Sequence, residues 1–367
     1  MAHNAQERYS SLVLAKIRKE NKLKNGVVFN TDYEGSPKAG SVKIPVRDTE
    51  VQVSDYDKAN GITAGTGSTT YETFTINKDK AVNEIIDGYD AQAVPDNLVA
   101  DRLDSAGYAL ARQEDVDGAT VLLAGATSVG VGALSKANIY AAIVDIRTQM
   151  SKQNIPDDGK RYLLVTPDTF AMILTCDEFI KASSLGDAVV QSGVVGKIAG
   201  FNVIEWNDDT AGLAMIAGHP RFATRAEEFS VPVHIQDLSG SGKYVGASAV
   251  QGRMAYGHKV LRSVAIRAVY APGSVAVTVA AGTSAAGDTK ITVTASDSNT
   301  LAYKLNPASR VAYGTASSAY AGTALTSGTV KVVSGCKAGD VIEVAEFNSN
   351  GCVKVGYVTL TAADIKA

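Results

Sequence analysis

The sequence predicts an α+β chain that continues into an all-β sandwich. Three observations carry that reading. Residues 41–80 alternate apolar and polar side chains on both sides of a glycine-rich centre, as a long hairpin would. Residues 95–125 repeat apolar side chains at helical spacing. After Pro272 the composition turns to Thr, Ser, Ala, Gly and Val in short alternating runs.

At 367 residues, with 45% apolar and 20% charged residues and a net charge of −3, the chain can bury more than one core. That balance argues against a dedicated nucleic-acid binder, which is usually basic overall, but allows a local basic patch. No stretch reaches the roughly 20 continuous apolar residues a membrane helix needs, and the first residues lack the pattern of a secretory signal. A cytoplasmic site of synthesis follows. Cys176, Cys336 and Cys352 suit a reducing compartment and read as buried thiols, although Cys336 and Cys352 could also meet across a sheet.

The N-terminal arm, residues 1–40, begins with an amphipathic helix expected over 5–24. Its Arg8, Lys16, Arg18, Lys19 and Lys22 make it locally basic. Such a run is either a solvated helix face or a surface turned toward a polyanion. In the hairpin, Val42, Ile44 and Val46 alternate outward and Phe74 and Ile76 return. Too few large apolar residues are present for the hairpin to build a core alone, so it must lie against something else.

The helix expected over 95–125 starts at Pro95 and Asp96, carries Val99, Leu103, Ala106 and Leu110 on one stripe, and ends at Gly125. At 1.5 Å per residue it spans about 45 Å. Residues 135–270 read as compact α/β. Ser135 opens a helix bearing Ile139, Ile143, Ile146 and Met150, and YLLVTP is a buried strand running into the short helix DTFAMILTC. FNVIEW and LAMIAG are adjacent strands, HPRFATRAEEF a helix and VPVHIQ a strand. Two further strand-like runs flank 258–262. From 273 to 367, VAVTVAA, TKITVTA, LAYKL, TVKVVSG, DVIEVAEF and CVKVGYVTLTA give six or seven short strands, the pattern of an immunoglobulin-like sandwich.

Catalytic signals are sparse. The stretch from Ala59 to Lys80 has Gly65 and Gly67 but no lysine at phosphate-loop spacing, and a strand follows where a helix should open. GSGKY at 240–244 lacks the upstream glycine and the hydroxyl residue. No nucleophile elbow occurs, and His3, His219, His234 and His258 stand singly. Cys176 sits on an apolar helical face, His219 at a strand end, and adjacent carboxylates such as Asp157 with Asp158 suit turns. No catalytic, cofactor or metal site is therefore assigned, and no enzyme activity is expected.

The order of elements resembles the major capsid protein of tailed bacteriophages, a fold shared with encapsulin shells. The resemblance covers 1–271. VNEIIDGYDAQAVPDNLVADRLDSAGYALARQED is similar to the exit from the hairpin into the spine helix, and RYLLVTPDTFAMIL to the entry of the axial domain. IAGFNVIEWNDDT with LAMIAGHPRFATRAEEF resembles that domain's strands and helix, and GRMAYGHKVLRSVAIRAVYA the returning strands. The resemblance implies an extension loop at 41–80, a peripheral domain at 81–134 and 252–271, and an axial domain at 135–251. The sandwich at 273–367 would be a surface decoration.

It further implies self-assembly through pentamers and hexamers into an icosahedral shell around a double-stranded DNA genome, built in the host cytoplasm. A scaffolding protein, a portal and non-specifically held DNA would be partners, and a membrane would not. The short arm implies a separate scaffold or a segment removed earlier. Val51, Tyr56, Ile62, Tyr71, Phe74 and Ile76 are the expected intersubunit residues of the hairpin. Tyr303, Tyr313, Tyr320 and Tyr357 would either pack the sandwich or form a glycan patch. An encapsulin-like compartment, or a cytoplasmic enzyme with an accessory sandwich, are the alternatives.

Overall fold

The computed structural model describes residues 18–23, 26–33, 40–47, 53–62, 69–88, 98–177 and 196–367. By packing, the chain divides into two compact units, 1–125 with 220–262, and 126–219 with 263–367.

In the first unit, β1 (Ser41–Arg47) and β2 (Thr69–Thr75) pair antiparallel from Ser41↔Thr75 to Arg47↔Thr69, so the expected hairpin is present. A three-stranded sheet has the order β3-β10-β9, made of β3 (Lys78–Ile86), β9 (Ala223–Asp237) and β10 (Ser248–Val260). Across it lies α1 (Leu98–Gly125), a 28-residue helix about 42 Å long. Ala106 on α1 packs with Ile86 and Val250, joined by Leu103, Val82 and Val233. The helix comes this close because β10 carries Gly252. A Cβ there would stand 3.0 Å from Leu110 Cδ1 and 2.9 Å from Val233 Cγ2.

The helix expected over HPRFATRAEEF is not formed. Only Pro220–Phe222 make a short 3-10 turn, and β9 then runs unbroken for 15 residues through VPVHIQ. Its long antiparallel register with β10 supplies backbone partners that no local helix could give to β10, and this long-range pairing outweighs local propensity. Pro232 is accommodated because β9 is an edge strand with a register shift opposite it. One consequence is that 220–262 belong to the same compact unit as α1.

The second unit contains a six-stranded mixed sheet in the order β4-β11-β8-β5-β7-β6. Its strands are β4 (Thr127–Gly130), β5 (Tyr162–Val165), β6 (Lys197–Ile198), β7 (Phe201–Glu205), β8 (Leu213–Gly218) and β11 (Arg267–Tyr270). Every residue of β5 and β8 is buried, which is why YLLV and LAMIAG read as continuous apolar runs. Helix α2 (Ile139–Lys152) buries Ile139, Ile143, Ile146 and Met150, as their spacing requires. Thr166 and Pro167 open α3 (Pro167–Leu174).

Beyond Pro272 two further sheets form. One has the order β12-β19-β18-β15-β16, built from β12 (Gly273–Ser274), β15 (Thr300–Leu305), β16 (Thr323–Leu325), β18 (Val341–Asn348) and β19 (Gly351–Thr359). The other is β13-β14-β17, from β13 (Thr278–Ala281), β14 (Thr289–Thr292) and β17 (Lys331–Val333). Ile291, Val333, Leu301, Ile342 and Val344 bring the two sheets together in one core. On its other face β18 buries Ala345 and Phe347 with Val311, Tyr320, Cys352 and Val355. Cys336 belongs to the first cluster and Cys352 to the second, and both are free buried thiols.

These C-terminal strands are not detached from the six-stranded sheet. The Tyr313 N–H donates to Val131 O at 3.0 Å, and the Val131 N–H donates to Tyr270 O at 2.8 Å. The Tyr313 ring stacks on Tyr270 at 5.6 Å between centroids. It also covers Gly212, where a Cβ would fall 2.3 Å from the ring and where φ is +74°. This contact explains why 273–367 pack as part of the second unit.

Candidate functional site

The hairpin's root is tied to its own chain. Ile44 and Phe74 pack with Ala226, with Tyr33, Val42, Ile76 and Leu261 around them. Lys259 Nζ donates to Thr73 O at 2.6 Å and pairs with Glu72 at 2.9 Å. The Gly40 N–H donates to Glu228 Oε1 at 3.2 Å. A Cβ on Gly257 would stand 2.7 Å from Thr75 O, so β10 approaches the hairpin as closely as only glycine permits.

Away from the root the pattern inverts. Val53, Tyr56, Ile62 and Tyr71 are 97%, 71%, 53% and 66% exposed. Of the six hairpin residues expected to meet a neighbour, Tyr56, Ile62 and Tyr71 lie open to one. Phe74 is fully buried and Ile76 packs beside it, because the returning strand needs its own apolar face to hold the hairpin to the subunit. Val51 and the glycines Gly65 and Gly67 lie outside the described residues.

The arm is likewise strapped down. Arg8 and Lys16 lie outside the described residues, and 18–23 are not helical. Arg18 pairs with Asp104 at 2.6 Å and stacks over the Tyr108 ring, whose hydroxyl donates to Lys19 O at 2.8 Å. Lys22 pairs with Glu20 at 2.7 Å. The Leu23 N–H donates to Asp115 Oδ1 at 2.9 Å, and Leu23, Val28 and Phe29 are buried. Asn30 then bridges to Pro220 O and Arg221 O, both at 3.0 Å. Arg18 thus engages the neighbouring helix, and Lys22 pairs within its own segment.

Beneath the strap is a polar cluster that the sequence reading missed. Glu114, Asp115 and Asp117 on α1 are buried. Arg225 Nε stands 3.1 Å from Glu114 Oε1, Arg112 3.5 Å from Asp115, and Lys78 3.6 Å from Asp117, while the Tyr256 hydroxyl donates to Asp117 at 2.9 Å. Burial pushes the Glu114 carboxyl above its ordinary range, partly offset by Arg225. Burial does the same to Asp115 against the Leu23 N–H and Arg112. His258 lies edge-on to Phe29 and Tyr256 at 5.0 and 5.6 Å, over Gly118, with no hydrogen-bond partner on either ring nitrogen. Burial, then Arg225, pushes its imidazole down to about 4. A signal was present: Ala106, Leu110, Glu114 and Asp117 continue one helical stripe, so the acids fall where apolar residues should.

His219 follows β8 with Nε2 2.9 Å from Asp158 Oδ1, in keeping with a strand-end role. Of the four tyrosines, Tyr303 packs against the core between the sheets, Tyr320 and Tyr357 share the cluster on the other face of β18, with Tyr357 under the Arg310 guanidinium at 4.7 Å, and Tyr313 lies on Tyr270. Among the described residues no group of three His, Cys, Asp or Glu side chains could hold a metal ion, and no helix is long and apolar enough to cross a membrane.

Comparison with known proteins fits this layout. The chain is similar to a solved structure from Mycobacterium phage Che8, at 21% identity over 73% of this chain and 97% of that one, with a TM-score of 0.62. A capsid structure of the cyanophage P-SCSP1u matches at 15% identity over 73% and 93%, with a TM-score of 0.62. One from Gordonia phage Cozz matches at 14% identity over 74% and 92%, with a TM-score of 0.56. No curated protein matches. At these identities the structures establish the fold. The family model for phage capsid protein matches residues 81–273, more than half of the chain, from β3 through the six-stranded sheet. The chain belongs to the phage capsid protein family.

Proposed function

We propose that this chain is a major capsid protein that assembles into the icosahedral shell of a double-stranded DNA phage. The observation that carries the reading is the hairpin: its root is bound by its own subunit, while Val53, Tyr56, Ile62 and Tyr71 stand in solvent. Large apolar side chains gathered on a protruding element favour a partner surface, and a second copy supplies one at no cost in specificity. The arrangement has no evident use in a lone subunit.

In this reading 41–80 is the extension loop, β3, α1, β9 and β10 form the peripheral domain, and the six-stranded sheet with α2 and α3 forms the axial domain. The C-terminal sheets act as an immunoglobulin-like surface module. Their strand order supports that assignment: β14 with β17 and β15-β18-β19 correspond to the B–E and C–F–G neighbours of that sandwich, with β16 as an added strand. Scaffold, portal and packaged DNA would be met through charge. With Arg18 and Lys22 engaged internally, Arg8, Lys16 and Lys19 are the arm cations left for such a role, and it should weaken steeply with salt.

Electron microscopy of the purified protein tests the reading. Shells, rings or sheets are expected, and persistent monomers under all assembly conditions would overturn it. Deleting 56–70 should leave a folded subunit that no longer forms stable shells; normal particles from that deletion would remove the hairpin from the mechanism.

A further inference from the structure

The two C-terminal sheets leave a seam open on one side. β16 pairs with β15 only from Leu301↔Leu325 to Tyr303↔Thr323. Beyond that point the lane beside β15 is empty: Ala321, with a φ of +50°, ends the helical turn Ser317–Tyr320 and sets the chain off the strand direction. β15 itself continues to Leu305, still paired with β18 through Lys304↔Glu343 and Leu305↔Ile342. One step further along that register, the Asn306 N–H donates to Val341 O at 2.7 Å. In an antiparallel ladder successive residues turn their backbone groups to opposite neighbours. Lys304 and Asn306 therefore face β18, and Leu305 turns its N–H and C=O to the side that β16 has left. A groove of about 490 Å³ lies there, lined by Leu305, Pro307, Ala321 and Gly322 and, from the second sheet, by Val333.

Side chains alternate along the same stretch. Tyr303 and Leu305 pack on the core between the sheets, so Lys304 lies on the opposite face, with its Nζ 4.5 Å from the centre of the Tyr320 ring. Glu343, across from it on β18, is buried and accepts from the Val311 N–H instead. The lining of the groove includes Lys304 and no acidic side chain. A lysine at a strand edge discourages pairing with apolar or basic strands, and the same charge admits an acidic one. We propose that this groove takes up an extended acidic peptide of a partner protein, which adds a strand to β15 in the lane that β16 leaves empty. The peptide's main chain exchanges hydrogen bonds with Leu305. Its residue opposite Leu305 shares the inward face and sets a small apolar side chain in the seam beside Val333. The next residue stands opposite Lys304 on the outer face, where a carboxylate pairs with the ammonium. Main-chain bonds supply attachment and the two side-chain positions supply selection. Shell formation plays no part in this binding.

Fluorescence anisotropy of a labelled Val-Glu-Val-Glu-Val peptide titrated with the full chain tests this. Saturable binding is expected, and none for the same peptide with lysines in place of its glutamates. N-methylation of the peptide's amides should abolish binding, because strand addition needs those N–H groups and charge attraction alone does not. Lys304→Glu should weaken binding by about tenfold, an attractive cross-strand pair having become a repulsive one. Lys304→Gln, which keeps a long side chain over Tyr320, should fall between the two and decides the matter if the first variant melts early. Hydrogen exchange at Leu305 should slow when the peptide is bound. No saturable binding, equal binding of the lysine peptide, or an affinity unchanged by N-methylation or in both Lys304 variants overturns the proposal. So does exchange at Leu305 that slows with protein concentration alone, which would make a second copy the occupant.

Discussion

Replacing His258 by phenylalanine isolates the contribution of one buried imidazole to the first unit. The ring sits between Phe29 and Tyr256 with both nitrogens unpartnered, so an aromatic hydrocarbon fits its surroundings. Its pKa falls from 6.5 to about 4 on folding, because burial and then Arg225 disfavour the cation. The unfolded chain therefore takes up a proton before the folded one does. The stabilising contribution is complete above pH 6.5 and is lost as pH falls toward 4. At about 1.4 kcal/mol per pH unit, going from pH 7.5 to pH 5 should cost about 2 kcal/mol through this residue. Glu114 and Asp115 act with the opposite sign. Their raised pKa values mean that acid favours the folded state, and that stability is lost as pH rises through their folded values. Asp117 and Lys78 complete the charged groups facing the ring. Because the carboxylates remain in the variant, the informative quantity is the difference in pH response between the two proteins. Hydrogen exchange on peptides spanning 98–125 and 248–260 of the unassembled subunit, at both pH values, gives the opening free energy. Wild type should lose about 2 kcal/mol more than His258→Phe on acidification. Equal responses would refute the buried, unpartnered imidazole.

Two further outcomes follow from geometry already described. Gly212→Ala places a methyl against the Tyr313 ring at a φ of +74°, and should destabilise the second unit by about 1–3 kcal/mol, read as a lowered melting temperature and faster proteolysis within 273–367. Phe74→Ala should cost the subunit about 3–5 kcal/mol in urea unfolding, whereas Tyr71→Ser, three residues away and exposed, should leave stability within about 0.5 kcal/mol and instead reduce assembly.

Elements with a local cause were legible in the sequence. The Ile139 to Met150 stripe, the apolar runs of β5 and β8, and the alternating strands after Pro272 each meet a requirement set by near neighbours in the chain. What escaped depends on partners far away. β9 is a strand because β10 lies beside it, although Ala223 to Phe229 carry no strand alternation of their own. Phe74 and Tyr71 look alike in an alternating run, and only the packing of Ala226 against the first distinguishes a root residue from a free one. The sequence leaves the arm's cations either solvated or facing a polyanion, because Asp104 and Tyr108, which engage Arg18, stand 86 and 90 positions on. Acids on the spine helix were visible as a break in its stripe, but their counter-charges Arg225 and Lys78 come from other strands.

The stacking of Tyr313 on Tyr270 has a mechanical consequence. Val131 hydrogen-bonds to both tyrosines' backbones, so a pull on the C-terminal sheets is shared between the peptide chain at Pro272 and a sheet edge more than 100 residues earlier in sequence. Two points of attachment resist rotation where one would act as a swivel. A load applied to the C-terminal sheets therefore reaches the six-stranded sheet directly, through Val131 as well as through the chain at Pro272.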